Sequence, residues 1–133
     1  MIQQRITIIK IRQPIQQNLN EELQWFGTSL GLFNLRDKDK SCFRIFIELL
    51  KTTKLNKTIS SDELAKKLIL SRGTVVHHIN KLMETGLVIY EHRGYMLRVN
   101  NLSALIDEIE EDMKRTCVSL RKIADNIDKR MKN

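Results

Sequence analysis

Apolar residues recur every three or four positions over most of this chain, and every second position in a few short stretches. Ile6 and Ile8 flank Thr7, then Ile9 and Ile11 flank Lys10. This period-two pattern of branched residues predicts a strand over 5–12, ended by Pro14. Leu19, Leu23, Phe26 and Leu30 fall at helical spacing and predict a helix over 19–33, with Asn20 as its cap and Gly27 and Gly31 weakening it. Asp37 is placed to cap a stronger helix through about Thr53, where Cys42, Phe43, Phe46, Ile47, Leu49 and Leu50 form a broad apolar face.

A polar linker, Lys54 to Lys57, leads to Thr58 and Ile59, a very short strand. Ser60 stands three residues before Glu63, the reciprocal spacing of a capping box. The short helix behind it turns Leu64, Ala65 and Leu68 inward and Lys66 and Lys67 outward. Leu70 and Ser71 break it. Ser71 caps a second helix from Arg72 to about Thr85, and Gly86 supplies the left-handed stop. Leu87–Glu91 and Tyr95–Val99 read as strands joined across His92, Arg93 and Gly94, with the glycine meeting the need for a positive φ. One long helix runs from Leu102 to about Met131. The fold class expected is therefore mainly α with a small β-hairpin (α+β). Residues 1–36 form an N-terminal strand and helix extension, 37–100 a winged helix-turn-helix domain, and 101–133 a long amphipathic helix.

Within the Arg72 helix, Val75, Ile79 and Leu82 share one stripe and must face the core. The opposite face then presents Gly73, His77, Asn80 and Glu84, with Thr74 and Lys81 on its flank. Such a face suits the major groove. Gly73 keeps the helix start slim for close approach, and the amides at Ser71–Thr74 are able to meet a phosphate. Arg72 and Lys81 reach phosphates or guanine edges, Asn80 reads adenine, and His77 donates to a base or phosphate. His78 lies nearer the core stripe and supports packing. Arg93 at the hairpin tip fits a phosphate or minor-groove contact, while Tyr95 packs under the hairpin. Lys66 and Lys67 are backbone clamps more than readers of sequence. Glu84 disfavours DNA but sits at the end of the helix.

From Leu70 to Val88 the chain reads LSRGTVVHHINKLMETGLV, preceded by SSDELAKKLI. This stretch resembles the winged-helix regulators of the ArsR and MarR type, archaeal ones especially. Their second helix commonly opens Ser-Arg-x-Thr-Val and closes Leu-x-x-x-Gly-Leu-Val. The likeness spans about residues 37–100. It implies a homodimeric transcriptional regulator that binds double-stranded DNA in a sequence-specific way, with helices flanking the wing domain holding the dimer. Two copies of the 72–85 helix would enter successive major grooves about one helical turn apart, with the wing at about 91–95 on adjacent backbone or minor groove.

The charge distribution agrees with that reading. The net charge is +7. Residues 1–36 carry four basic and two acidic side chains, 37–100 twelve and seven, and 101–133 seven of each, so the surplus lies mainly in the middle. The neutral last segment has another task. Leu102, Ile106, Ile109, Met113, Thr116, Leu120, Ile123, Ile127 and Arg130 alternate steps of four and three, a heptad seam. The seven apolar members are the dimerisation residues expected, although packing against the 19–33 helix and antiparallel or parallel pairing all remain open. Trp25 and Phe26 are core by default; an interface or a small-ligand pocket are the other readings.

Other classes find less support. No phosphate loop, HExxH or paired CxxC is present, so neither catalysis nor a cofactor is expected. His77 and His78 are adjacent, which turns them about 100° apart on a helix, unlike a metal-ligand pair. Cys42 and Cys117 lie far apart in apolar helical patterns and read as buried thiols, a poor metal site. No membrane segment or secretory signal is evident, and the expected location is cytoplasmic. The competing function is a winged-helix protein-interaction module without sequence-specific DNA binding.

Overall fold

The computed structural model describes residues 4–15, 18–33 and 40–132. Along them run α1 (Leu19–Ser29), α2 (Ser41–Lys54), α3 (Ser61–Leu68), α4 (Arg72–Glu84), β1 (Val88–Glu91), β2 (Gly94–Leu97) and α5 (Leu102–Arg130). They divide into two compact units, Met1–Asn100 and Asn101–Asn133. This is the architecture of an α+β winged helix-turn-helix fold with a long C-terminal helix.

The first unit is organised around α2, which packs on α3, α4 and β2. Its apolar stripe supplies Ile45, Phe46 and Leu49, each wholly buried. They meet a core completed by Leu64 of α3, Val75, Ile79 and Leu82 of α4, and Val88 and Leu97 of the hairpin. Thr53 at the end of α2 is also buried, and its Oγ1 accepts the Leu97 N–H at 2.9 Å. One hydroxyl thereby joins helix to strand and satisfies an amide that water cannot reach. α2 starts at Ser41 after Lys40, whose side chain makes no cap bond. Asp37, the cap expected from sequence, lies outside the described residues.

α1 begins after Asn18, not Asn20: the Asn18 side chain accepts from the Glu21 N–H at 2.8 Å. The helix closes early, at Ser29. Gly31 adopts φ +67°, its N–H donates to the Thr28 carbonyl, and Leu32 N–H donates to that of Gly27 at 2.9 Å, the two bonds of a Schellman stop. Gly27 has a packing role. A Cβ there would lie 1.8 Å from the ring of Phe33. That ring stands edge-on to Phe43 (5.2 Å) and Phe46 (6.0 Å), which ties the end of α1 to α2.

Residues 4–14 are not a strand. Their backbone makes isolated bonds instead, from Arg5 N–H to the Glu84 carbonyl (2.9 Å) and from Ile9 N–H to that of Ser29 (2.7 Å). Ile8 and Ile9 remain exposed, as does Ile15. Alternation describes an extended chain, but a ladder also needs a partner strand, and here the neighbours are helix ends. Trp25 and Phe26 are half-buried, and the Trp25 indole donates to the Ile11 carbonyl at 3.3 Å.

The wing is a two-stranded antiparallel hairpin pairing Val88 with Leu97 and Glu91 with Gly94. Thr58–Ile59 adds only an isolated bridge, Ile59 to Tyr95. The positive φ values fall on His92 (51°) and Arg93 (61°), as both central residues of a type I′ turn require, and not on Gly94. Gly94 is needed for proximity: a Cβ would come within 2.6 Å of Thr58 Oγ1 and 3.0 Å of Ile59 N. The bridge and the glycine belong together.

In the second unit, Asn101 caps α5 by accepting from Ala104 N–H at 2.7 Å. Leu105 and Ile109 are the buried residues of this helix. Cys42 is buried, its thiol 3.1 Å from the Leu32 carbonyl, but Cys117 is exposed, contrary to the expectation of two buried thiols. A helix carrying its apolar residues along one open stripe leaves a flanking cysteine in solvent.

Candidate nucleic-acid interface

α3, its turn and α4 are assembled by local chemistry. Ser60 Oγ accepts from Glu63 N–H at 3.1 Å while the Glu63 carboxylate accepts from Ser60 N–H at 3.2 Å, a complete capping box. α3 ends at Ile69, which takes the left-handed conformation (φ 54°, ψ 52°) with its side chain 91% exposed. For a branched residue this conformation costs roughly 1–3 kcal/mol, with no packing in return. The turn is held from outside. Arg44 of α2 donates through Nη2 to the Leu68 carbonyl, and Leu70 N–H donates to that of Ala65 at 3.0 Å.

Ser71 then starts α4. Its Oγ accepts from Thr74 N–H at 3.1 Å and lies 2.8 Å from Thr74 Oγ1, so both hydroxyls are engaged in building the helix start. Val75 N–H is taken by the Ser71 carbonyl. Among the described residues, the amides of Arg72 and Gly73 are the first-turn donors left for an anion. Gly73 faces open space, since a Cβ there would meet nothing within 4 Å. Val75, Ile79 and Leu82 are buried, whereas Arg72, Gly73, His77, Asn80, Lys81 and Glu84 are exposed along the other side. Thr74 is half-buried, and so is His78, whose ring lies 5.4 Å from that of His77. The outward face read from the sequence exists as one surface.

Not every cation on it is unencumbered. The Arg72 guanidinium pairs with Asp62 at 3.4 Å, both side chains exposed. An exposed pair of this kind exchanges readily for another anion. Lys67 is different. Its Nζ lies 3.1 Å from the carboxylate of Glu48, a buried acid of α2 that also faces Lys51 at 3.8 Å. Lys67 thus neutralises a buried charge between α2 and α3, and periodicity could not reveal that pairing. Lys66 is exposed and makes no ion pair among the described residues.

Sequence reasoning missed two neighbours of this surface. Lys57 lines an open groove with Thr58, Lys66 and Lys67; the signal available was its position just before the segment that bridges to the wing. Tyr90 is 58% exposed and pairs across the hairpin with Tyr95, ring centroids 5.0 Å apart. Alternation in β1 and β2 would have put both rings on one face. Arg93 stands exposed at the turn beyond them.

No helix among the described residues is long and apolar enough to cross a membrane. Neither the curated proteins nor the solved structures compared with the chain gave a match. Residues 46–96, from the middle of α2 to β2, match the family model of an HTH domain. Domains of this family are typically non-enzymatic, and together with the hairpin wing the match supports a DNA-binding helix-turn-helix regulator.

Proposed function

We propose that the protein is a sequence-specific transcriptional regulator that binds double-stranded DNA as a homodimer, of the ArsR or MarR kind that residues 70–88 resemble. The observation that carries this reading is the outward face of α4, polar along its length and unobstructed at Gly73, within the segment that matches the HTH family. α4 enters the major groove with its N-terminus nearest the phosphates, where the Arg72 and Gly73 amides and the helix dipole favour an anion. Asn80 and His77 face base edges, and Arg72 and Lys81 meet guanine or phosphate. Ser71 and Thr74 hold the helix start in shape. Arg93 follows the adjacent backbone or minor groove, and Lys66 clamps a phosphate across the turn. Lys67 contributes mainly through the field it shares with Lys66, because its ammonium is committed to Glu48.

The test is a fluorescence-anisotropy titration with a genomic-fragment pool and a random duplex at two salt concentrations. Tight binding to a few fragments, a steep salt slope and loss on Arg72→Ala are expected. Asn80→Ala should weaken the selected fragments more than random DNA. No binding at low salt would favour a protein-interaction module on the same fold.

A further inference from the structure

Exposure changes along the seam of α5. Within the seam Ile109 is buried and Ile106 is 39% exposed; beyond them Met113, Leu120, Ile123 and Ile127 continue the stripe at 43%, 64%, 57% and 50% exposure. Four large apolar side chains in register on open helix call for a partner. Charge is also unevenly placed. Residues 107–115 hold five acids and two bases, and residues 121–132 hold five bases and two acids. The helix dipole suits Lys129 and Arg130 in the last turn, but not the acidic run, because its influence falls off within the first turn and that turn of α5 contains no acid. Within residues 107–115 Lys114 lies 3.9 Å from Glu111 and Arg115 bonds to Asp112, and the segment still carries three more acids than bases.

We infer that α5 pairs antiparallel with the α5 of a second copy, the two-fold axis passing between Arg121 and Lys122. The inference rests on the homodimer proposed above and adds its orientation and register. In an antiparallel coil, a positions of one helix meet d positions of the other. Leu120 then faces Ile123 of the second copy, Thr116 faces Ile127, and Met113 lies under the stem of Arg130. Glu110 and Glu111 fall level with the basic end of the other helix, at Lys132. Parallel pairing in register would stack Arg130 on Arg130 and the acidic run on itself, a repulsion that selects against it.

The test uses two full-length proteins in a Cys117→Ser background, one Met113→Cys and one Arg130→Cys, with tags of different mass. Cys42 stays, because it is buried. Both new thiols replace exposed side chains, so folding is unaffected. Mild oxidation of the mixture should convert most chains to the mixed disulfide, while Met113→Cys alone stays uncrosslinked. In the inferred register, two copies of residue 113 lie about 25 Å apart at 1.5 Å per residue, beyond any disulfide. Crosslinking of Met113→Cys with itself would overturn the inference in favour of a parallel pair. A dimer by light scattering without either crosslink would overturn this register and leave the homodimer standing. A monomer by light scattering would remove the homodimer and this pairing with it.

Discussion

Gly73→Ala separates the demands of folding from those of recognition. Gly73 is the second residue of α4, and the added methyl would meet no atom within 4 Å. Its backbone does not use the left-handed region, so alanine fits without strain. Glycine in a helix costs roughly 0.5–1 kcal/mol relative to alanine, through the freedom it loses on folding. Near a helix start the lower end applies, so Gly73→Ala should stabilise the free protein by about 0.5 kcal/mol, a rise of roughly 2–3 °C in Tm for a domain of this size. DNA binding should move the other way. If α4 approaches the duplex at its N-terminus, the methyl intrudes where two surfaces close. Overpacking a tight contact typically costs about 1–3 kcal/mol, which is roughly a 5- to 150-fold loss of affinity. Differential scanning calorimetry of the free protein and anisotropy on a selected fragment read the two quantities separately. A variant that is more stable and binds DNA as tightly as before would refute close approach at Gly73. A variant that is less stable would refute the open helix start itself.

Other perturbations test the scaffold. Gly27→Ala should destabilise the protein by about 1–3 kcal/mol in urea titration, because the Phe33 ring must leave its place beside Phe43 and Phe46. Thr53→Val should cost roughly 1–3 kcal/mol, since the Leu97 amide loses its buried acceptor; an unchanged midpoint would mean another group takes over. Lys66→Ala should lower DNA affinity on all sequences alike and leave stability intact, whereas Lys67→Met should lower stability by roughly 1 kcal/mol by removing a partner of Glu48. Leu120→Lys with Ile123→Lys should yield folded monomers by light scattering; a persistent dimer would place the interface elsewhere.

What could be read from sequence was what local chemistry decides. The Ser60–Glu63 box, the Ser71 cap and the Gly86 stop each involve groups within a few residues, and each stands where spacing put it. The core stripe of α4 followed from the helical period alone. Features that depend on distant partners are harder to read. Ile6 to Ile11 alternate like a strand, yet among the described residues no strand pairs with them. Gly94 is a constrained position through the close approach of Thr58, which tertiary structure sets, and not through a positive φ. Asn20, the cap expected from sequence, lies inside the helix, and Asn18 two residues earlier takes that place. The pairing of Lys67 with Glu48 joins residues nineteen positions apart and leaves no trace in periodicity.

The N-terminal segment has a consequence for the mobility of the recognition surface. The last carbonyls of α4 are covered from far away in sequence: Arg5 N–H bonds to Glu84 and the Gln4 amide to Thr85, both at 2.9 Å. The first turn, by contrast, is closed by its own Ser71. The two ends of one helix therefore belong to different opening units. Local fraying of residues 4–9 exposes the carbonyls of Glu84 and Thr85 while the Arg72–Thr74 end keeps its cap. Hydrogen exchange should see amides of the final turn of α4 and of the N-terminal segment lose protection together, which makes that segment a handle on half of the reading head.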